Sequence, residues 1–246
     1  GFTTDIPART KVGEVPGSSE MIIYDRLTDS LYNIKTDELP GIKDIPDYVK
    51  DYPKQLEEKT KNTDNRLVNF SSAIWSPNSD YLLISITALD NKDRWLMAWD
   101  TSTAKLKLIN RYRDEAWVGG NGFSNRGWID EKTIWFQSEA TGYSHLYTMD
   151  VKTGIKKTLS SGKYEVQEVQ LSNDKKYFYI STNEVHPGEK QFYRLPIGGG
   201  KAEQLTFKEG NNQVALSPDE KTMAILYSYI NIPTELYWKE NLPGKK

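Results

Sequence analysis

Hydrophobic and polar positions along this chain alternate in short runs that predict β-strands. Leu82, Ile84 and Ile86 interleave with Tyr81, Leu83, Ser85 and Thr87, and similar runs occur at 133–138, 177–182 and 222–228. Aromatic and β-branched residues fill these runs, and turn-forming residues bound them. No segment carries an apolar stripe at helical spacing over three turns.

The strand runs belong to a repeat. One anchor is an apolar residue before a turn: Trp75, Trp128, Leu171 and Leu216, at steps of 53, 43 and 45. A second anchor is an apolar pair in a later strand: Leu31-Tyr32, Leu96-Met97, Leu146-Tyr147, Phe192-Tyr193 and Leu236-Tyr237, at steps of 65, 50, 46 and 44. Each unit reads as a Ser/Pro/Asp turn, an apolar strand, a polar loop, the anchor strand, a tight turn and a short closing strand. The tight turns, such as Asp150-Val-Lys-Thr-Gly154 and Ile197-Gly-Gly-Gly-Lys201, carry the Asp and Gly that fixed or positive φ requires. About four strands per 45 residues is the signature of a propeller blade. The expected fold is therefore all-β, a β-propeller of about five four-stranded blades with the first and last incomplete. The whole of 1–246 is expected to be propeller region. The long 65-residue step predicts an insert over about 36–65, with Pro40, Pro46 and Pro53, a charged stretch 54–64 and one helical turn near 55–59. It reads as a surface excursion.

Composition narrows the function. With 37% hydrophobic and 27% charged residues the chain can bury a core, and no apolar run has the ~18 residues of a membrane span. The net charge of −2, with both signs interspersed, argues against a nucleic-acid partner. The absence of cysteine rules out disulfides and thiol chemistry. The opening Gly1-Phe2-Thr3, without methionine, suggests a truncated or processed piece in which Gly1 is a tag remnant.

Catalytic motifs are missing from the sequence. Only His145 and His186 are present, and G-x-S-x-G occurs nowhere; the nearest stretch is Gly142-Tyr-Ser144-His-Leu146. Adjacent strand residues point to opposite faces, so Ser144 and His145 read as a turn serine and a half-buried strand histidine. His186 reads as a hairpin-loop residue. Asp90-Asn-Lys-Asp93 is a turn without the alternating carboxylates of a calcium loop, and Gly198-Gly-Gly200 lacks the residues of a phosphate cradle. No cofactor, no metal site and no catalytic residue is expected. Two features suit ligand recognition. The acidic pair Asp114-Glu115 could hold a peptide amine, or stand as a solvated pair opposite Arg111 and Arg113. The glycine-rich run Trp117-Val-Gly119-Gly-Asn121-Gly-Phe123 could line a binding surface or serve the fold. Glu57-Glu58 in the charged insert reads as solvated.

The run Gln137-Ser-Glu-Ala-Thr-Gly-Tyr-Ser-His-Leu-Tyr147 resembles a strand pair of the dipeptidyl-peptidase-IV N-terminal propeller. Trp117-Val-Gly119 before it, Gly162-Lys-Tyr-Glu-Val166 and Tyr179-Ile-Ser-Thr-Asn-Glu184 after it, and Leu236-Tyr237 at the end keep that family's order. The resemblance spans about 70–240. It implies a seven- or eight-bladed propeller covering an α/β-hydrolase domain, here outside the chain, that carries a serine-peptidase triad. Trp117, Gly119, Asn121 and Phe123 would then lie on the substrate side, with Asp114 and Glu115 beside them. The implied partners are that hydrolase domain and short peptide substrates, and the implied location is exported or periplasmic. The Glu-Glu pair by which the family's dipeptidyl peptidases hold a substrate amine has no convincing counterpart: Glu57-Glu58 lacks the surrounding pattern. Five blades of a larger ring would be open, re-closed or packed in a homo-oligomer. The competing reading is a stand-alone interaction propeller similar to the TolB type. A carbohydrate enzyme on a five-bladed propeller fits less well, because no repeated carboxylate opens the inner strands.

Overall fold

The computed structural model describes Gly1 and residues 17–243, with the side chain of Ser72 excepted. The chain separates into two compact units, residues 1–74 with 82–118, and residues 75–81 with 119–246. All five expected sheets are present, and each strand follows its neighbour in chain order. The first pairs β1 (Ile22–Asp25) with β2 (Ser30–Asn33). The second runs β3 (Val68–Trp75), β4 (Tyr81–Ala88), β5 (Asp93–Asp100) and β6 (Lys105–Arg113). The third holds β7 (Arg126–Trp128), β8 (Thr133–Ser138), β9 (His145–Asp150) and β10 (Lys156–Thr158). The fourth holds β11 (Val166–Leu171), β12 (Tyr177–Thr182), β13 (Gln191–Pro196) and β14 (Glu203–Gln204), and the fifth β15 (Asn211–Leu216), β16 (Thr222–Tyr229) and β17 (Ile232–Glu240). Five meandering sheets, three of them four-stranded, are propeller blades.

Side chains explain why the turns recur. Ser76, Ser172 and Ser217 each accept the backbone N–H five residues on, at 3.0, 3.0 and 3.1 Å. Each hydroxyl donates to the Asn or Asp two positions later, Asn78, Asp174 and Asp219. The residue next but one before the strand takes positive φ in all three: Ser79, Lys175 and Glu220. One turn, written three times, fixes where the second strand of a blade begins. In the third blade Asp130 does this work instead, accepting from Lys132 and Thr133 N–H.

The first blade corrects the placing of the first anchor, not the number of blades. Asp25 accepts the N–H of Leu27, and Asp29 takes positive φ. This is the turn made by Asp100 with Ala104 and by Asp150 with Gly154, which joins a third strand to a fourth. Leu31-Tyr32 therefore sits on a closing strand, and the counterpart of Leu96 and Leu146 is Met21. Ile34 N–H reaches Met21 C=O at 2.9 Å, as Leu159 reaches Leu146 at 2.8 Å.

The core lies between sheet faces. In the first unit Ile84, Ile86, Trp95 and Ala88 are fully buried, with Ile34, Leu39, Ile42 and Val68 against them. In the second, Leu146, Phe178, Ile180 and Leu195 form one cluster, and Tyr179, Phe192, Leu205, Met223 and Tyr227 another. Each fully buried side chain of this size contributes up to about 1.5–3 kcal/mol. The segment 36–65 is only partly a surface excursion. Leu39, Ile42 and Val49 are buried, while a 3₁₀ turn (Asp47–Asp51) leads into an exposed helix α1 (Pro53–Lys61) with no buried residue. That helix is longer than the single turn expected, with Pro53 placed where a missing N–H is harmless. No helix among the described residues is long and apolar enough to cross a membrane.

Candidate functional site

The run 114–123 divides between the two units, and each part has its own support. In the first unit the support is a buried carboxylate. Asp93 opens β5 with its side chain wholly inaccessible, and its oxygens accept from Arg66 at 2.6 Å, Arg111 at 2.7 Å and Arg113. Burial pushes the Asp93 carboxyl up, but the hydrogen bonds from Arg111 and Arg66 outweigh it and hold it below the ordinary carboxylate range. The arginines in turn fix three segments. Arg66 pairs with Asp90 at 3.0 Å and donates to the carbonyls of Gly41 and Ile42. Arg111 pairs with Asp44 at 2.6 Å, and Arg113 with Glu115.

This hub decides what the acidic pair is doing. Glu115 accepts from Arg113 through one oxygen and from Asp47 N–H, at 2.9 Å, through the other. Asp114 accepts the N–H groups of Ala116 and Trp117 at 2.6 and 2.9 Å, which lowers its pKa. Arg111, expected opposite the pair, faces Asp93 and Asp44 instead. Lys92 ties the carbonyls of Glu115 and Ala116, and Val118 N–H reaches Asn91 C=O at 2.8 Å. The product is a well-anchored segment presenting Trp117, 62% exposed.

In the second unit Gln137 supports residues 119–125. Its side chain is buried in β8, accepts Asn125 Nδ2 at 2.6 Å and donates to Ser144 Oγ and to Val166 C=O, at 3.1 and 2.7 Å. Ser144 Oγ donates to Asn121 C=O at 2.7 Å, and Ser144 N–H to Glu165 at 2.7 Å. Gly122 has φ +67°, and a methyl there would collide with the Gln137 amide; Gly120 has φ +95° and would collide with Glu139. These two glycines let the loop lie on the polar layer beneath it. Asn121 and Phe123 are exposed, and Gly119 is partly so.

Ser144 and His145 serve this frame. Both are fully buried, more than the half-buried state expected of the histidine. His145 Nδ1 meets Ser160 Oγ at 3.1 Å and Nε2 meets Gly162 C=O at 3.0 Å, with Tyr164 edge-on to the ring. Burial pushes the Tyr164 phenol up to about 12. His186 lies in an exposed loop, where its Nδ1 accepts Gly188 N–H. Glu57 is exposed and pairs with Lys61 one helical turn on. Among the described residues no cluster of three metal-ligating side chains occurs. Sequence reading missed Asp93, Arg66 and Gln137 as supports. The one available signal was a charged Asp93-Arg94 opening an otherwise apolar run.

Stacked meander sheets carrying exposed loops on buried polar supports define the class: a β-propeller module. The chain belongs to the dipeptidyl peptidase IV (DPP IV) N-terminal region family, which matches residues 54–234. Its fold is that of Porphyromonas gingivalis dipeptidyl peptidase 4, at a TM-score of 0.68 and 15% identity over 96% of this chain. TolB from Acinetobacter baumannii matches 70% of the chain at 22% identity and a TM-score of 0.46. The chain spans 31% of the length of the first of these structures and 41% of the second.

Proposed function

We propose that residues 1–246 are propeller region of a serine peptidase of the dipeptidyl peptidase IV kind, non-catalytic themselves. Their role is to restrict and line the approach of short peptides to a hydrolase domain elsewhere in the parent protein, which is exported. The family match over 54–234 carries this reading. The exposed loops support it: Trp117 offers a stacking surface, and Gly119, Asn121 and Phe123 offer apolar and amide contacts. Asp114 and Glu115 add negative charge beside Trp117, with Glu115 held by Arg113. Residues 36–65 act as an insert that braces the first of these loops through Asp44 and Asp47.

The test is Trp117→Ala in the full-length parent, assayed on a series of short peptides. The expected result is a KM raised about three- to tenfold with kcat retained, since lost stacking of roughly 1 kcal/mol removes binding alone. Unchanged KM across the series would remove Trp117 from the substrate side.

A further inference from the structure

Asn121 is followed by Gly122, and no other asparagine in the sequence precedes a glycine. That pairing has a chemistry of its own. The backbone nitrogen after an asparagine can attack the side-chain Cγ, and glycine, without a Cβ, leaves that nitrogen open. In a folded chain the attack is fastest where the side-chain amide and the nitrogen are both unengaged. Asn121 is exposed, and among the described residues neither its side chain nor the Gly122 N–H has a hydrogen-bond partner. The next most susceptible pair, Asn78-Ser79, is tied down. Asn78 Oδ1 accepts from Ser76 Oγ and Asp80 N–H, and its Nδ2 donates to Asp80.

The frame beneath the loop acts on the same peptide bond. Ser144 Oγ donates to the Asn121 carbonyl at 2.7 Å, and that oxygen shares its peptide with the Gly122 nitrogen. A hydrogen bond to the oxygen draws electron density from the nitrogen and makes its N–H easier to deprotonate. Ser144 is buried and fixed by Gln137 and Glu165, so the donor stays in place while the Asn121 side chain is left in solvent.

We propose that Asn121-Gly122 is a deamidation site of the native protein, at which the loop exchanges a neutral amide for a carboxylate. Hydroxide takes the Gly122 amide proton and the nitrogen bonds to Asn121 Cγ. The Cγ–Nδ2 bond then breaks and ammonia leaves, carrying a proton from water. Water opens the resulting succinimide at either carbonyl. Opening at Cγ gives aspartate with the main chain restored. Opening at the α-carbonyl gives isoaspartate, whose main chain runs through Cβ and Cγ and whose free α-carboxylate replaces the carbonyl that Ser144 holds. On the reading that Asn121 faces substrate, the new charge lies where peptides approach; the chemistry itself does not depend on that reading.

The test holds the folded protein at mildly alkaline pH and maps its peptides by mass at intervals, beside the same protein in urea. The peptide containing residues 121–122 should gain about 1 Da, with isoaspartate exceeding aspartate, while Asn78 in the folded protein keeps its mass. The native rate should rise in proportion to hydroxide and stay within about tenfold of the rate in urea. Native protection beyond that, or aspartate without isoaspartate, would overturn the proposal. Hydrogen exchange at residues 121–125 should be faster in the purified isoaspartate form than in Asn121→Asp, because only the first loses the carbonyl held by Ser144. Equal exchange would overturn the coupling to Ser144. Deamidation as described, with KM for short peptides unchanged by Asn121→Asp in the full-length parent, would support the site and sink the substrate-side reading of Asn121 alone.

Discussion

Replacing Asp93 with asparagine keeps the shape of the side chain and removes the charge that three guanidinium groups share. The side chain is wholly inaccessible, and its partners Arg66, Arg111 and Arg113 are 15, 25 and 25% exposed. Removing one partner of a fully buried ion pair costs about 3–5 kcal/mol. Here the arginines keep some water and other acceptors, Asp90, Asp44 and Glu115, so a loss of about 2–4 kcal/mol is expected. For a chain of this size that lowers Tm by roughly 5–15 °C. The effect should be local to the first unit. Hydrogen exchange at Trp95, whose indole donates to Pro40 C=O at 2.9 Å, reads it directly. Pairing Asp93→Asn with Arg113→Met should give a coupling above about 0.5 kcal/mol. A loss below about 1 kcal/mol, or additive effects in that pair, would refute the hub as the support of residues 114–118.

Acidification should reproduce part of this change. Because the native Asp93 pKa lies below its ordinary value of 3.8, its contribution is full above about pH 5 and is lost as pH falls through the native value. Urea midpoints at pH 6, 4 and 3 should fall steeply for the natural chain and less for Asp93→Asn. Parallel slopes would contradict the assignment. Gly122→Ala places a methyl against Gln137 at positive φ, so a loss of about 2 kcal/mol or more is expected by thermal unfolding. Wild-type stability there would mean the loop yields freely. Ser144→Ala removes a donor to Asn121 C=O and an acceptor for Gln137, and should cost about 1–2 kcal/mol while speeding exchange around residues 121–125.

The strands and blades were legible because alternation and turn chemistry are local. Ser76, Ser172 and Ser217 write the same turn each time, so a repeat is visible without any long-range contact. The first blade misled for the same reason: Leu31-Tyr32 copies the anchor's letters, and only the hydrogen bond from Ile34 to Met21 shows which strand is which. The hub was hidden because Arg66 lies 27 residues before Asp93 and joins it only through the fold. Leu39, Ile42 and Val49 sit among prolines and charges, which masked their burial. Gln137, Ser144 and His145 lay within a motif that pointed to the family, yet their polar character hid the full extent of their burial, of which only a half-buried His145 was expected. Trp117 and Phe123 stood out as aromatics flanking a glycine-rich run, and the pairing of Glu115 with Arg113 was within reach of the sequence, whereas the bonds of Asp114 to Ala116 and Trp117 N–H and of Glu115 to Asp47 N–H were not.

The measurement that tests the central claim most directly is the sequence of the full gene product beyond Lys246, confirmed by its intact mass. The account predicts a further segment of roughly 250 residues or more containing G-x-S-x-G followed by the aspartate and histidine of a hydrolase. A natural protein ending near Lys246 would contradict it, and would leave a binding propeller with no peptidase to serve.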